Sequence, residues 1–152
     1  MTVLQPVRAG FLAVAVIIAI APLGCAKNPF SPSQNTGQPF SIVEVTLGTG
    51  TQVAPLSTVV VDYAGYLYDA SKPDNEGLLF DTSLSSQPIT FVVGAGQVIP
   101  GFEQGVLGMK VGGFRRVTIP PELGYGSIGQ YPVPKNATLV FEISLLGASV
   151  PQ

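Results

Sequence analysis

Between Phe40 and Gly147, short apolar runs alternate with clusters of Gly, Pro, Asn and Asp, and six of the runs have the make-up of β-strands. They read "FSIVEVTLG", "TVVVDYAGYLY", "LLFDTS", "ITFVVG", "FRRVTIP" and "TLVFEISLLG". In the last of them Leu139, Phe141, Ile143 and Leu145 alternate with Val140, Glu142 and Ser144, which turns one face of the strand toward a core. Tyr63 keeps the same alternation with Val59 and Val61 and is therefore an inward position. One stretch breaks the two-residue period. In "QVIPGFEQGVLGMKVGG", Ile99, Phe102, Val106 and Met109 recur at three- and four-residue steps, and Pro100 suits the first position of a helix. Gly105 and Gly108 each weaken such a helix by about 1 kcal/mol relative to alanine, so it needs a sheet beneath it. The pattern predicts an α+β domain, a twisted antiparallel sheet with one short helix packed across its concave face.

Ahead of this region the pattern changes twice. Arg8 is followed by an apolar stretch from Phe11 to Ile20 and then by Leu23-Gly24-Cys25, the layout of a secretory signal peptide. The last three residues resemble the lipobox of bacterial lipoproteins, with Pro22 at the place where that family prefers leucine. The resemblance implies a signal peptide over residues 1–24, a lipidated Cys25, and a membrane-anchored protein in the cell envelope that faces the periplasm or the exterior. An uncleaved anchor is the alternative, since Ala9 to Ala26 is apolar for about the length of a membrane span. Residues 25–39, with "AKNPFSPSQNTGQP", have no apolar period and read as a flexible tether to a folded domain over residues 40–148.

Composition narrows the chemistry. The chain of 152 residues has room for one core, its formal net charge is -2, and charged residues make up 11% of it. It therefore lacks the basic footprint of a nucleic-acid binder, and it is expected to act as a monomer through shape and apolar contact. Histidine is absent and cysteine occurs once, which excludes histidine acid/base catalysis, Ser/His/Asp and Cys/His nucleophiles, zinc fingers and internal disulfides. No metal or cofactor is expected. "GYGSIG" at residues 124–129 matches a dinucleotide-binding pattern in letters, but no strand precedes it and no helix follows, so it reads as a loop. "NAT" at residues 136–138 reads as the turn into the last strand.

Taken in order, "VVVDYAGYLYD", "LLFDTS", "GAGQVIPGFEQGVLGMKVGGFRRVTIPPELGYG" and "PKNATLVFEISLL" resemble the FKBP-type peptidyl-prolyl cis-trans isomerases over about Ser41 to Leu146. The resemblance implies a sheet half-wrapped around one short α-helix, with an apolar pocket between them that takes a proline ring. It implies the pocket tyrosine at Tyr63, an aromatic wall and buried carboxylate at Phe80 and Asp81, and a floor at Phe91. It further implies that Val98 and Ile99 open the helix and that the Ile99 N–H holds a substrate carbonyl. Phe102 stands at the pocket base where many members have tryptophan, Tyr125 at the rim as a hydroxyl donor, and Phe141 deep in the last strand. The implied function is isomerisation of X-Pro segments in exported proteins, or, as the alternative, their non-catalytic binding as a chaperone. A macrolide such as rapamycin is an implied ligand. The chain departs from the family in "TSLSSQP", which lacks an arginine against Asp81 and leaves Tyr63 as its expected partner. It departs again in "LYDASKPDNEGLL", expected to be a solvated insertion.

Overall fold

The computed structural model describes residues 37–151, so the expected signal segment, Cys25 and the tether up to residue 36 lie outside the described residues. All six runs form strands: β1 (Ser41–Thr46), β2 (Thr58–Tyr68), β3 (Glu76–Thr82), β4 (Ile89–Val92), β5 (Phe114–Ile119) and β6 (Leu139–Ser149). A single α-helix among the described residues, α1 (Pro100–Val106), lies between β4 and β5 in the chain. The strands form one antiparallel sheet in the order β1-β5-β6-β2-β3. β4 pairs with the first half of β2, from Thr58 to Val61, so β3 and β4 share one edge of that strand.

Alternation places the core as the sequence implies. Leu139, Ile143 and Leu145 are all but inaccessible, and they meet Val59 and Val61 of β2 and Val117 and Ile119 of β5 beneath the helix. The helix is shorter than its apolar stripe. Ile99 is its N-cap, with extended backbone, and Met109 is buried by the turn that follows Leu107. Two glycines allow this short helix to lie on the sheet. A Cβ on Gly101 would collide with the Ile119 side chain, and one on Gly105 would stand 2.8 Å from Cγ2 of Val117. Gly105 therefore permits close contact with the sheet, which offsets its low helix propensity.

Two arginines on neighbouring positions of β5 serve opposite faces. Arg115 points inward and is 7% exposed. Its Nη1 donates to the carbonyls of Gly105 (2.6 Å) and Leu107 (3.0 Å) at the end of α1, and Nη2 pairs with Glu44 on β1. Arg116 lies on the other face and pairs with Asp74, Glu76 and Glu142, each at 2.9 Å. The β2–β3 connection is therefore more than a solvated insertion. Its tip from Ser71 to Asp74 is exposed, yet Asp74 and Glu76 fasten it to the sheet through Arg116.

Candidate functional site

A cavity of about 410 Å³ opens where the N-terminal end of α1 meets the sheet. Tyr63 of β2, Phe141 of β6, and Val98, Ile99 and Phe102 at the start of α1 line it, with Asp81 of β3, Ile89 of β4, Gln97, Tyr125 and Gln130 completing the wall. Strand and helix periods bring these side chains together. Tyr63 and Phe141 are inward positions of paired strands, and Phe102 stands on the sheet-facing side of the first helical turn.

The rings pack edge to face. The Phe102 and Phe141 centroids are 5.1 Å apart at 85°, and Tyr63 stands 5.6 Å from Phe102 at 80°. Such pairs add about 0.5–1.5 kcal/mol each beyond the area they bury. Phe80 and Phe91, expected as wall and floor, stand behind the lining. Phe80 meets Phe141 edge-on at 5.6 Å, and Phe91 supports Phe102 at 5.8 Å. Gly65 makes the first of these contacts possible, because a Cβ there would stand 2.7 Å from Phe141 and 2.9 Å from Phe80.

The polar groups are fixed by short bonds. The Tyr63 hydroxyl donates to Oδ2 of Asp81 at 2.6 Å, and Oδ1 of Asp81 accepts the Thr82 N–H at 2.9 Å. The next two residues bind β3 back to Tyr63. Thr82 Oγ1 and the Ser83 N–H donate to the Tyr63 carbonyl, while Ser83 Oγ accepts the Tyr63 N–H. Asp81 is not the buried carboxylate that the resemblance implies. It is exposed at the rim, as is the chain from Leu84 to Pro88 that follows it. Tyr63 is its side-chain partner, as expected.

Two donors at the mouth remain unused. The Ile99 N–H and the Tyr125 hydroxyl find no hydrogen-bond partner among the described residues. Burial pushes the Tyr63 phenol well above its usual range, and the bond to Asp81 adds to this. Burial, and then the charge on Asp81, raises Tyr125 as well. Both phenols are therefore protonated donors at neutral pH. The two shifts favour the folded state fully below the ordinary tyrosine pKa of about 10, and this contribution is lost as pH rises further.

Three lining residues escaped the sequence reading. Ile89 shares the inward parity of Phe91, two positions on, and that alternation was the signal available for it. Gln97 and Gln130 lie in loops, where no period marks a lining position.

The sequence model of the FKBP-type peptidyl-prolyl cis-trans isomerases matches residues 49–146. An "FK506-binding protein" of Neisseria meningitidis serogroup B is 42% identical over 107 residues, covering 69% of this chain and 92% of that protein. "FK506-binding protein 4" of Chaetomium thermophilum is 44% identical over 109 residues, which are 72% of this chain. The matched part is only 21% of that fungal protein's length. Among solved structures, a peptidyl-prolyl cis-trans isomerase from Pseudomonas syringae pv. tomato superposes with a TM-score of 0.60 at 33% identity, covering 73% of this chain and 76% of that one. The crystal structure of AtFKBP13 gives 0.62 at 28% identity, covering 72% and 93%.

Proposed function

Because the chain belongs to the family of FKBP-type peptidyl-prolyl cis-trans isomerases, we propose that its cavity catalyses cis-trans exchange of X-Pro bonds in peptide segments with an apolar residue before proline. The observation that carries this reading is a ring-lined cavity with two unused donors at its mouth, the Ile99 N–H and the Tyr125 hydroxyl.

An X-Pro bond exchanges over tens to hundreds of seconds unaided, across a barrier of about 18–20 kcal/mol set by amide resonance. No covalent bond breaks, so no nucleophile is needed. The planar amide carries partial charges that water solvates, and the twisted transition state has lost much of that charge separation. Enclosing the proline ring among Tyr63, Phe102 and Phe141 removes this solvation and favours the twisted form. The two donors hold flanking carbonyls while the bond rotates, so binding energy is used in the transition state. A thousandfold acceleration needs only about 4 kcal/mol.

The test is a protease-free exchange assay on a short peptide with leucine before proline. Acceleration by micromolar protein is expected, with rapamycin as a competitor for the same cavity. The second-order rate constant should stay flat between about pH 5 and 8, since the chain has no histidine and both cavity phenols are held protonated. The raised carboxyl of Glu76 lies outside the cavity lining, beside Glu142 and Arg116. Absence of acceleration would leave a groove that binds Pro-containing segments without turning them over.

The N-terminal pattern gives this activity a place: an enzyme tethered by a lipidated Cys25 in the cell envelope, acting on exported chains as they fold. The support is the lone cysteine at the end of an apolar segment, followed by a polar tether. A Cys25→Ser precursor is expected to lose labelled fatty acid and to keep its signal segment. Equal labelling of wild type and variant would refute the anchor.

A further inference from the structure

The Ile99 N–H lies just beyond a loop with little to hold it. β4 ends at Val92, and the chain reaches α1 through Val93, Gly94, Ala95 and Gly96, with both glycines in the left-handed region at φ 90° and 69°. Residues 94–97 are exposed, and a Cβ on either glycine would meet nothing within 4 Å. Val93 is buried in the core, but packing does not fix residues 94–97, and hydrogen bonds must. The Ala95 N–H donates to the Val92 carbonyl at 3.1 Å, and two side chains add to this turn: Oε1 of Glu103, in the first turn of α1, accepts the Gly96 N–H at 3.0 Å. Oε1 of Gln97 accepts the Val92 N–H at 2.8 Å, the one described side-chain bond between the end of β4 and residue 97. Val92 belongs to an edge segment, so the Gln97 side chain takes up an N–H that would otherwise face water.

We propose that Gln97 is a positioning residue of the cavity: it latches the chain before α1 onto the end of β4 and so sets where the Ile99 N–H meets the bound peptide. The proposal rests on the isomerase reading for its kinetic consequence and on geometry alone for the latch. Only Val98 separates Gln97 from Ile99, so slack at the latch reaches that donor directly. A misplacement of about 1 Å in a positioned group can lower a rate by about a hundredfold. Only the carbonyl end of a carboxamide accepts an N–H, so glutamate can replace Gln97 in this bond and leucine cannot.

The experiment compares Gln97→Leu and Gln97→Glu with the wild type in the exchange assay, alongside amide hydrogen exchange at Val92. Gln97 is exposed, so neither change removes core. The leucine variant is expected to lose roughly ten- to a hundredfold in kcat/KM. Its Val92 amide should exchange faster, and glutamate should recover both properties. A leucine variant as active as wild type, or a glutamate variant that falls as far as leucine, would overturn the proposal. Should the wild type itself prove inactive, the isomerase reading fails, and the latch is judged on Val92 alone. Unchanged exchange there in the leucine variant would sink it.

Discussion

Replacing Arg115 with alanine is expected to destabilise the fold by about 1.5–3 kcal/mol, read as a lower denaturant midpoint. Arg115 is 7% exposed, and its guanidinium has three described partners, the carbonyls of Gly105 and Leu107 and the carboxylate of Glu44. Alanine would strand the two carbonyls, while Glu44, itself exposed, would turn to water. The carbonyls belong to the last turn of a seven-residue helix, which is too short to persist without tertiary support. A fixed cation there also opposes the negative end of the helix dipole. Because α1 carries Phe102 and follows Ile99, its loosening would open the cavity before the domain unfolds globally. Arg115→Lys should recover only part of the loss, since a single ammonium cannot reproduce the planar fork that spans helix and strand. A loss below about 1 kcal/mol for alanine would mean that the carbonyls find water and that apolar packing alone seats the helix.

Arg115 also marks where the sequence stopped being legible. Strand positions were readable because the two-residue period records burial directly, and all six runs became strands with Leu139, Phe141, Ile143 and Leu145 inward. An arginine at an inward position looks polar to that pattern. Its burial depends on helix carbonyls that come close only after folding. The helix was found by its three- and four-residue stripe, but its ends were not, because Ile99 and Met109 pack against the core from outside the helical turns. Gly105 reads as a weakness in one dimension and as a close contact with Val117 in three. At the site, Tyr63, Asp81, Val98, Ile99, Phe102, Tyr125 and Phe141 converge on one cavity. Phe80 and Phe91 fall one layer behind it, since parity names the face of a strand but not the depth along it. The exposure of Asp81 and the roles of Gln97 and Gln130 depend on loop paths, which no periodicity encodes.

Truncating Phe141 to alanine is expected to be the most damaging single change in the cavity. Its ring meets three others, Phe102 at 5.1 Å, Phe80 at 5.6 Å and Tyr63 at 6.0 Å, and it is 4% exposed. Loss of such a ring from a core costs about 3–5 kcal/mol, so the variant must be shown to be folded by circular dichroism before its rate is interpreted. Phe141→Leu serves as the second probe, because it keeps an apolar filling while removing the edge-to-face partners. If water exclusion drives catalysis, alanine admits solvent to the proline site, and kcat/KM should fall by more than about tenfold, or 1.4 kcal/mol. Leucine should lose less. Asp81→Asn should cost least of the three, since the amide oxygen can still accept the Tyr63 hydroxyl now held at 2.6 Å, and Asp81 already stands exposed at the rim. The ordering carries the mechanism. A folded Phe141→Ala protein that outperforms Asp81→Asn would make the carboxylate, and not the dry ring-lined cavity, the source of the rate.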